Sequence, residues 1–144
     1  MSKKYFSAPG AQGPYSLAVK AGDYLYISGQ IGHTDADGRP LASVESQTKR
    51  CLEKMADLLK TAGASFDDVV KTTVFLKNQE DFTKMNGVYT IFFSGAKPAR
   101  STVIAGMVFP EIMVEIEAVA IYRKHNYTLK HKAAHISVVS GFII

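Results

Sequence analysis

Residues 113–122, MVEIEAVAIY, read as a strand with no indifferent face. Side chains alternate across a strand, so Val114, Ile116, Ala118 and Ala120 share one side, while Glu115, Glu117, Val119 and Ile121 share the other. The first side is wholly apolar and calls for helices packed over it. The second carries two acids beside two aliphatic residues, which suits neither bare solvent nor a single helix layer. A second subunit is the cover that such a face predicts.

The rest of the chain supplies the layers. Residues 15–21 and 24–28 predict two strands joined at Gly22-Asp23 as a hairpin. Over residues 43–62, Val44, Cys51, Leu52, Met55, Leu58, Leu59 and Ala62 recur on one side of a helix, with Ser43 as N-cap and Gly63 just past the end. Ser65 and Asp68 stand at capping-box spacing before a strand over 69–76. On that strand Val70, Thr72, Val74 and Leu76 face one way, and Lys71, Thr73 and Phe75 the other. A second helix begins near Asn78 and places Phe82, Met85, Tyr89 and Phe92 at helical intervals, straight through an Asn86-Gly87 pair that elsewhere would suggest a hairpin turn. Strands near 100–105 and 113–122 complete the order β-β-α-β-α-β-β, an α+β class in which helices cover one face of a sheet.

Length and charge exclude several functions. The 144 residues fit one domain. The formal charge is +4, but Lys124, Lys130 and Lys132 lie in the final stretch, leaving 14 basic against 13 acidic residues in the first 123. A nearly neutral body with interleaved signs does not predict a nucleic-acid surface. No apolar run approaches the roughly 20 residues of a membrane span, and the start lacks the apolar core of a signal peptide. Cys51 is the only cysteine, so no disulfide is expected within the chain. The cytoplasm is the expected compartment, with the mitochondrion left open. Cys51 on the apolar helix stripe reads as a packed, inert thiol. His131 and His135 have metal-ligand spacing but no acid or cysteine nearby, so no metal site is expected. Asn126-Tyr127-Thr128 matches a glycosylation acceptor that a cytoplasmic protein would not use. Ser28-Gly29 lacks the surroundings of a nucleophile elbow.

Two features remain for chemistry. Glu115 and Glu117 project to the same side roughly 7 Å apart, a spacing at which one acid and one base can act together or a water can be oriented. The same pair also suits plain surface acids facing basic neighbours. Arg100, just after Pro98-Ala99, can grip a carboxylate in bidentate fashion, or simply serve as a solvated or ion-paired strand residue.

Four blocks, GPYSLAVKAGDYLYISGQIG, DDVVKTTVFLKNQEDFTKMNGVY, PARSTV and VEIEAVAI, occur in an order and at a spacing that resemble the Rid (reactive intermediate deaminase, also YjgF or L-PSP) family from about residue 8 to 123. The resemblance implies a chorismate-mutase-like subunit in a homotrimer, with the sheets forming a central barrel and clefts between subunits. It implies hydrolysis of enamines and imines such as 2-aminoacrylate to a 2-oxo acid and ammonia, without cofactor or metal. Carried over by motif, Arg100 would hold the substrate carboxylate and Glu115 would position or activate water. Tyr15 would close the pocket, and Ser28 and Gly29 would line it. Thr102 stands where many members carry Cys, which excludes a thiol-dependent role while its backbone N–H could still serve as a donor, and Asn86 is read as structural. Residues 1–123 form the Rid-like domain, and 124–144 extend beyond the family's usual end. Two other functions stay open at this point: a non-catalytic trimer that binds small carboxylates, and an RNA-cleaving or translation-inhibiting role.

Overall fold

The computed structural model describes residues 1–7 and 13–122. The first helix, α1 (Val44–Ala62), begins where the Ser43 side chain accepts a hydrogen bond from the Ser46 amide, and it ends at Gly63, whose φ of 79° is the left-handed conformation that glycine adopts without penalty. Its buried stripe includes Val44, Cys51, Leu52, Met55 and Leu59. A capping box between Ser65 and Asp68 closes a single 3-10 turn, Phe66–Asp68. A second turn, Gln79–Asp81, leads into α2 (Phe82–Phe92). Gly87 falls within α2, so the helix does run through the Asn86-Gly87 pair.

Among the described residues six strands form one sheet: β1 (Lys3–Phe6), β2 (Ala18–Ala21), β3 (Tyr24–Ile31), β4 (Val69–Leu76), β5 (Ala99–Ile104) and β6 (Val114–Ile121). Their order is β1-β2-β3-β6-β4-β5, antiparallel except for the parallel β4–β5 pair, which α2 connects. Both helices cover one face. There Leu25, Ile27, Val74, Leu76, Val114, Ile116, Ala118 and Ala120 meet the α1 stripe, Met85 and Tyr89 of α2, and Phe93 at its C-cap. The opposite face is covered by none of the described residues and is half apolar, with Tyr5, Tyr24, Tyr26 and Val103 exposed beside Val119 and Ile121. The alternation along β6 is therefore as the sequence requires.

Four details depart from the expected elements. β1 is an additional strand at the sheet edge; only Phe6 of its four residues is buried, so it carries no apolar alternation to read. Lys4 faces Lys20 across the β1–β2 pair, and each ammonium lies over an aromatic ring, Phe6 and Tyr122 respectively, which relieves the repulsion of like charges placed opposite one another. The hairpin is shorter in its first arm, starting at Ala18, and longer in its second, reaching Ile31. On β4 a register shift between Val69 and Lys71 moves Val70 out to the surface, while Val69 takes the core position. On α2, Phe82 is partly exposed, and Phe93 just past the helix end is the aromatic that stacks on Tyr89, with 4.4 Å between ring centres. The His131/His135 pair, the glycosylation triplet and the extension 124–144 lie outside the described residues.

Leu52 is fully buried at the centre of the α1 stripe. Leu52→Ala should destabilise the protein by about 2–5 kcal/mol, the usual cost of a leucine-sized cavity, as read by denaturant unfolding at fixed protein concentration. A loss below about 1 kcal/mol would contradict the packing described.

Candidate active site

The sequence-predicted residues fall into two groups. The first gathers around the break in the β3–β6 pairing between Ile27 and Gln30, at Ser28-Gly29. Here the Glu115 carboxylate lies against the Gly29 backbone so closely that a Cβ on Gly29 would overlap it. Glycine is needed there for space. The Ser28 hydroxyl donates to the Ser16 carbonyl at 2.6 Å, and the Ser28 amide donates to the Leu17 carbonyl at 2.9 Å. Ser28 thus pins the segment that carries Tyr15 to the break in the β3–β6 pair. Tyr15 itself is about half exposed and folds back over Gly13. Burial raises the Glu115 carboxyl above its ordinary value of 4.5, and the Glu117 charge adds to the rise. Glu117 is exposed on the same face. It helps to line a shallow concavity of about 290 Å³ together with Tyr26, Ser28, Lys71 and Thr73.

The second group surrounds Arg100 at the β5 edge. Its guanidinium donates to Asn86 Oδ1 at 2.7 Å and lies over the Tyr89 ring at 4.8 Å and the Phe82 ring at 5.7 Å. The Tyr89 hydroxyl is 2.7 Å from Thr72 Oγ1, and Thr72 is the β4 neighbour of Arg100. Burial raises the Tyr89 phenol, so it stays neutral and hydrogen-bonded beneath the cation. Thr102, two residues along the same strand, has a buried Oγ1 without a hydrogen-bond partner among the described residues. Asn86, read from sequence as structural, contacts Arg100 directly. Phe82 and Tyr89 were legible only as a core stripe; the signal for their second use was their spacing of four and three from Asn86, which places all three on one helix face.

These groups are not adjacent within one chain. β4 separates β5 from β6, a distance of roughly 10 Å at ordinary strand spacing. They also occupy opposite sides of the sheet. Arg100 pairs with the buried Thr72 on the helix side, whereas Glu115 pairs with Phe75 on the open side. Cys51 belongs to neither group: its Sγ lies 3.7 Å from the Val114 carbonyl, and burial pushes the thiol up to about 12, which leaves it inert.

Fold and site together define an α+β fold with a pre-oriented arginine at one sheet edge and a carboxylate of raised pKa on the open face. The family model described as Endoribonuclease L-PSP matches residues 6–122. A RutC family protein from Pyrococcus horikoshii is 43% identical over 115 residues, covering 79% of this chain and 91% of the relative. Human 2-iminobutanoate/2-iminopropanoate deaminase is also 43% identical over 115 residues, covering 79% and 84%. Among solved structures, the Rid-family protein YyfA from Yersinia pestis superposes with a TM-score of 0.76 at 36% identity, covering 83% of this chain and 99% of that one. The chain belongs to the Rid family, known also as YjgF or L-PSP.

A carboxyl whose folded-state pKa lies above its unfolded value weakens the fold once it ionises, and that cost disappears as pH falls below the unfolded value. Glu115→Gln should therefore raise Tm at pH 7. The gain should shrink through the raised pKa of Glu115 and vanish below its ordinary 4.5. Melting curves from pH 7 to 4 check this, and a gain that grows on acidification contradicts it.

Proposed function

We propose that the protein hydrolyses 2-imino and 2-enamino acids, such as 2-aminoacrylate, to 2-oxo acids and ammonia, as a homotrimer whose sites lie between subunits. The observation that carries this reading is the Arg100 assembly: a guanidinium already oriented by Asn86 and backed by Tyr89, with donors left for a ligand carboxylate. Support comes from the deaminase names of the human and mouse relatives. Because Arg100 and Glu115 sit on opposite sides of one sheet, a substrate of three or four carbons can touch both only if they come from different subunits. The half-apolar open face supplies a reason for subunits to associate.

In such a cleft, Arg100 of one subunit holds the substrate carboxylate. Glu115 of the next, beside Gly29 and Ser28 and under Tyr15, faces C2 and its nitrogen. An enamine first takes a proton at C3, donated by protonated Glu115, and becomes an iminium. Glu115, now ionised, then takes a proton from water as the water oxygen bonds to C2. The resulting carbinolamine receives that proton on nitrogen, the C–N bond breaks to release ammonia, and the hydroxyl proton passes back to Glu115, which leaves the 2-oxo acid and restores the acid for the next turnover. A carboxyl with a raised pKa is suited to both directions of transfer. The iminium carbon is already electrophilic, so the work left to the protein is orientation and proton handling. The proposed compartment is the cytoplasm, consistent with a buried unpaired thiol.

Pyruvate release from enzymatically generated 2-aminoacrylate tests the reaction. Addition of the protein should accelerate it, and no acceleration with any of several imines would sink the proposal. Arg100→Ala should lower kcat/KM by about 10- to 100-fold, the worth of a charge-assisted contact. A carboxylate-binding protein without turnover would lose only ligand affinity on that change. With wild type acting on an imine, where the cycle begins at the water step, kcat/KM should fall on acidification through a pKa above 4.5, since the base form of Glu115 is then depleted. With an enamine, which the acid form must first protonate, it should instead fall as pH rises through that pKa.

Assembly has its own test. Light scattering should give about three times 15.7 kDa. Arg100→Ala and Glu115→Gln chains, each strongly impaired alone, should rise to about a quarter of wild-type activity when co-refolded in equal amounts, because one interface in four then holds both intact groups. Absence of recovery in a mixed trimer would place the site within one chain.

A further inference from the structure

Gln47 is the one buried residue of α1 whose side chain ties two separate connectors to the helix. It is 1% exposed, at a place where an apolar residue would pack without the cost of burying an amide. Its Nε2 donates to the Leu41 carbonyl at 2.8 Å and to the Glu111 carbonyl at 3.0 Å, and its Oε1 accepts from the Met113 amide at 2.8 Å. Leu41 belongs to the connector between β3 and α1, and Glu111 and Met113 to the one between β5 and β6. Each connector is braced further: the Leu41 amide donates to the His33 carbonyl, the Lys77 amide to Met113, and the Lys77 ammonium to Pro110. Gly32 packs on the backbone carbonyl of Gln47 itself, with no room for a Cβ. Both connectors run directly into the strands that present Glu115. Ile31 is its cross-strand neighbour, and Met113 precedes it by two residues.

We infer that Gln47 is a positioning residue that locks these two connectors together and thereby sets the placement of Glu115 and the size of substrate side chain admitted beside it. The catalytic half of this inference rests on the proposed imine hydrolysis; the mechanical half does not. A fully satisfied buried amide fixes one arrangement where an aliphatic side chain would tolerate several. The connector between β5 and β6 exposes Val108 and Phe109, apolar residues in the stretch that the clamp holds.

Two variants of the full chain test the clamp, Gln47→Met and Gln47→Glu. The first keeps length but removes all three hydrogen bonds. The second keeps an acceptor for Met113 but loses the two donors. Amide hydrogen exchange in Gln47→Met should accelerate by about tenfold or more over residues 33–41 and 109–113, while the last turns of α1 remain as in wild type. In Gln47→Glu the acceleration should be confined to 33–41 and 109–112, with Met113 still protected. kcat/KM for the alanine-derived imine should fall by about tenfold in both, and its preference over the phenylalanine-derived imine should narrow. A lowered Tm with unchanged connector exchange, or an unchanged preference between the two imines, would overturn the positioning role. Should wild type hydrolyse neither imine, that failure falls on the proposed reaction, and connector exchange still decides the clamp.

Discussion

The register of β6 against its two neighbours is the constraint on which the other features depend. A slip of one residue would turn Val114, Ile116, Ala118 and Ala120 outward and drive Glu115 and Glu117 into the core beneath α1. Two ionised carboxylates among Leu52, Met55 and Met85 would cost far more than the net stability of a domain of this size. The same alternation that fills the core therefore fixes Glu115 on the open face opposite Phe75. The interruption at Ser28-Gly29 then gives its carboxylate a place against bare backbone. Core packing and site placement are two readings of one strand.

On the other flank, α2 serves the site as much as the core. Met85 and Tyr89 anchor it on the sheet, and the Tyr89–Thr72 hydrogen bond fastens its aromatic face beside Arg100. An arginine on an edge strand is ordinarily free to sample many rotamers. Here Asn86 engages one end of the guanidinium and two rings restrict its plane, so much of the ordering is complete before any ligand arrives.

Much of this was legible in the sequence where local chemistry decides. Ser43 and Gly63 bounded α1, Ser65 and Asp68 marked their turn, and the alternation of β6 named its faces. The misses have physical causes. β1 has almost no buried side chain, so it leaves no periodic trace, and the bulge at Val70 depends on pairing that only the assembled sheet contains. Arg100 and Glu115 were assigned to one cleft between subunits only through the family resemblance; their separation within a chain follows from strand order, which is a long-range property absent from any single segment. Gln47 was passed over because a polar residue within an apolar stripe reads as an interruption until its three backbone partners are seen.

Strand order also has a consequence for biosynthesis. β6 is the middle of the sheet but the last described strand to be made, and it inserts between β3 and β4. Until residues 114–121 leave the ribosome, the nascent chain holds two incomplete half-sheets, β1-β2-β3 and β4-β5, each with a long edge of unpaired backbone groups. Such edges invite pairing with neighbouring chains, and closing them requires contacts that span most of the sequence, so folding of the sheet waits on β6. The residue proposed to manage protons in the finished protein is therefore delivered by the same event that ends the nascent chain's exposure to aggregation.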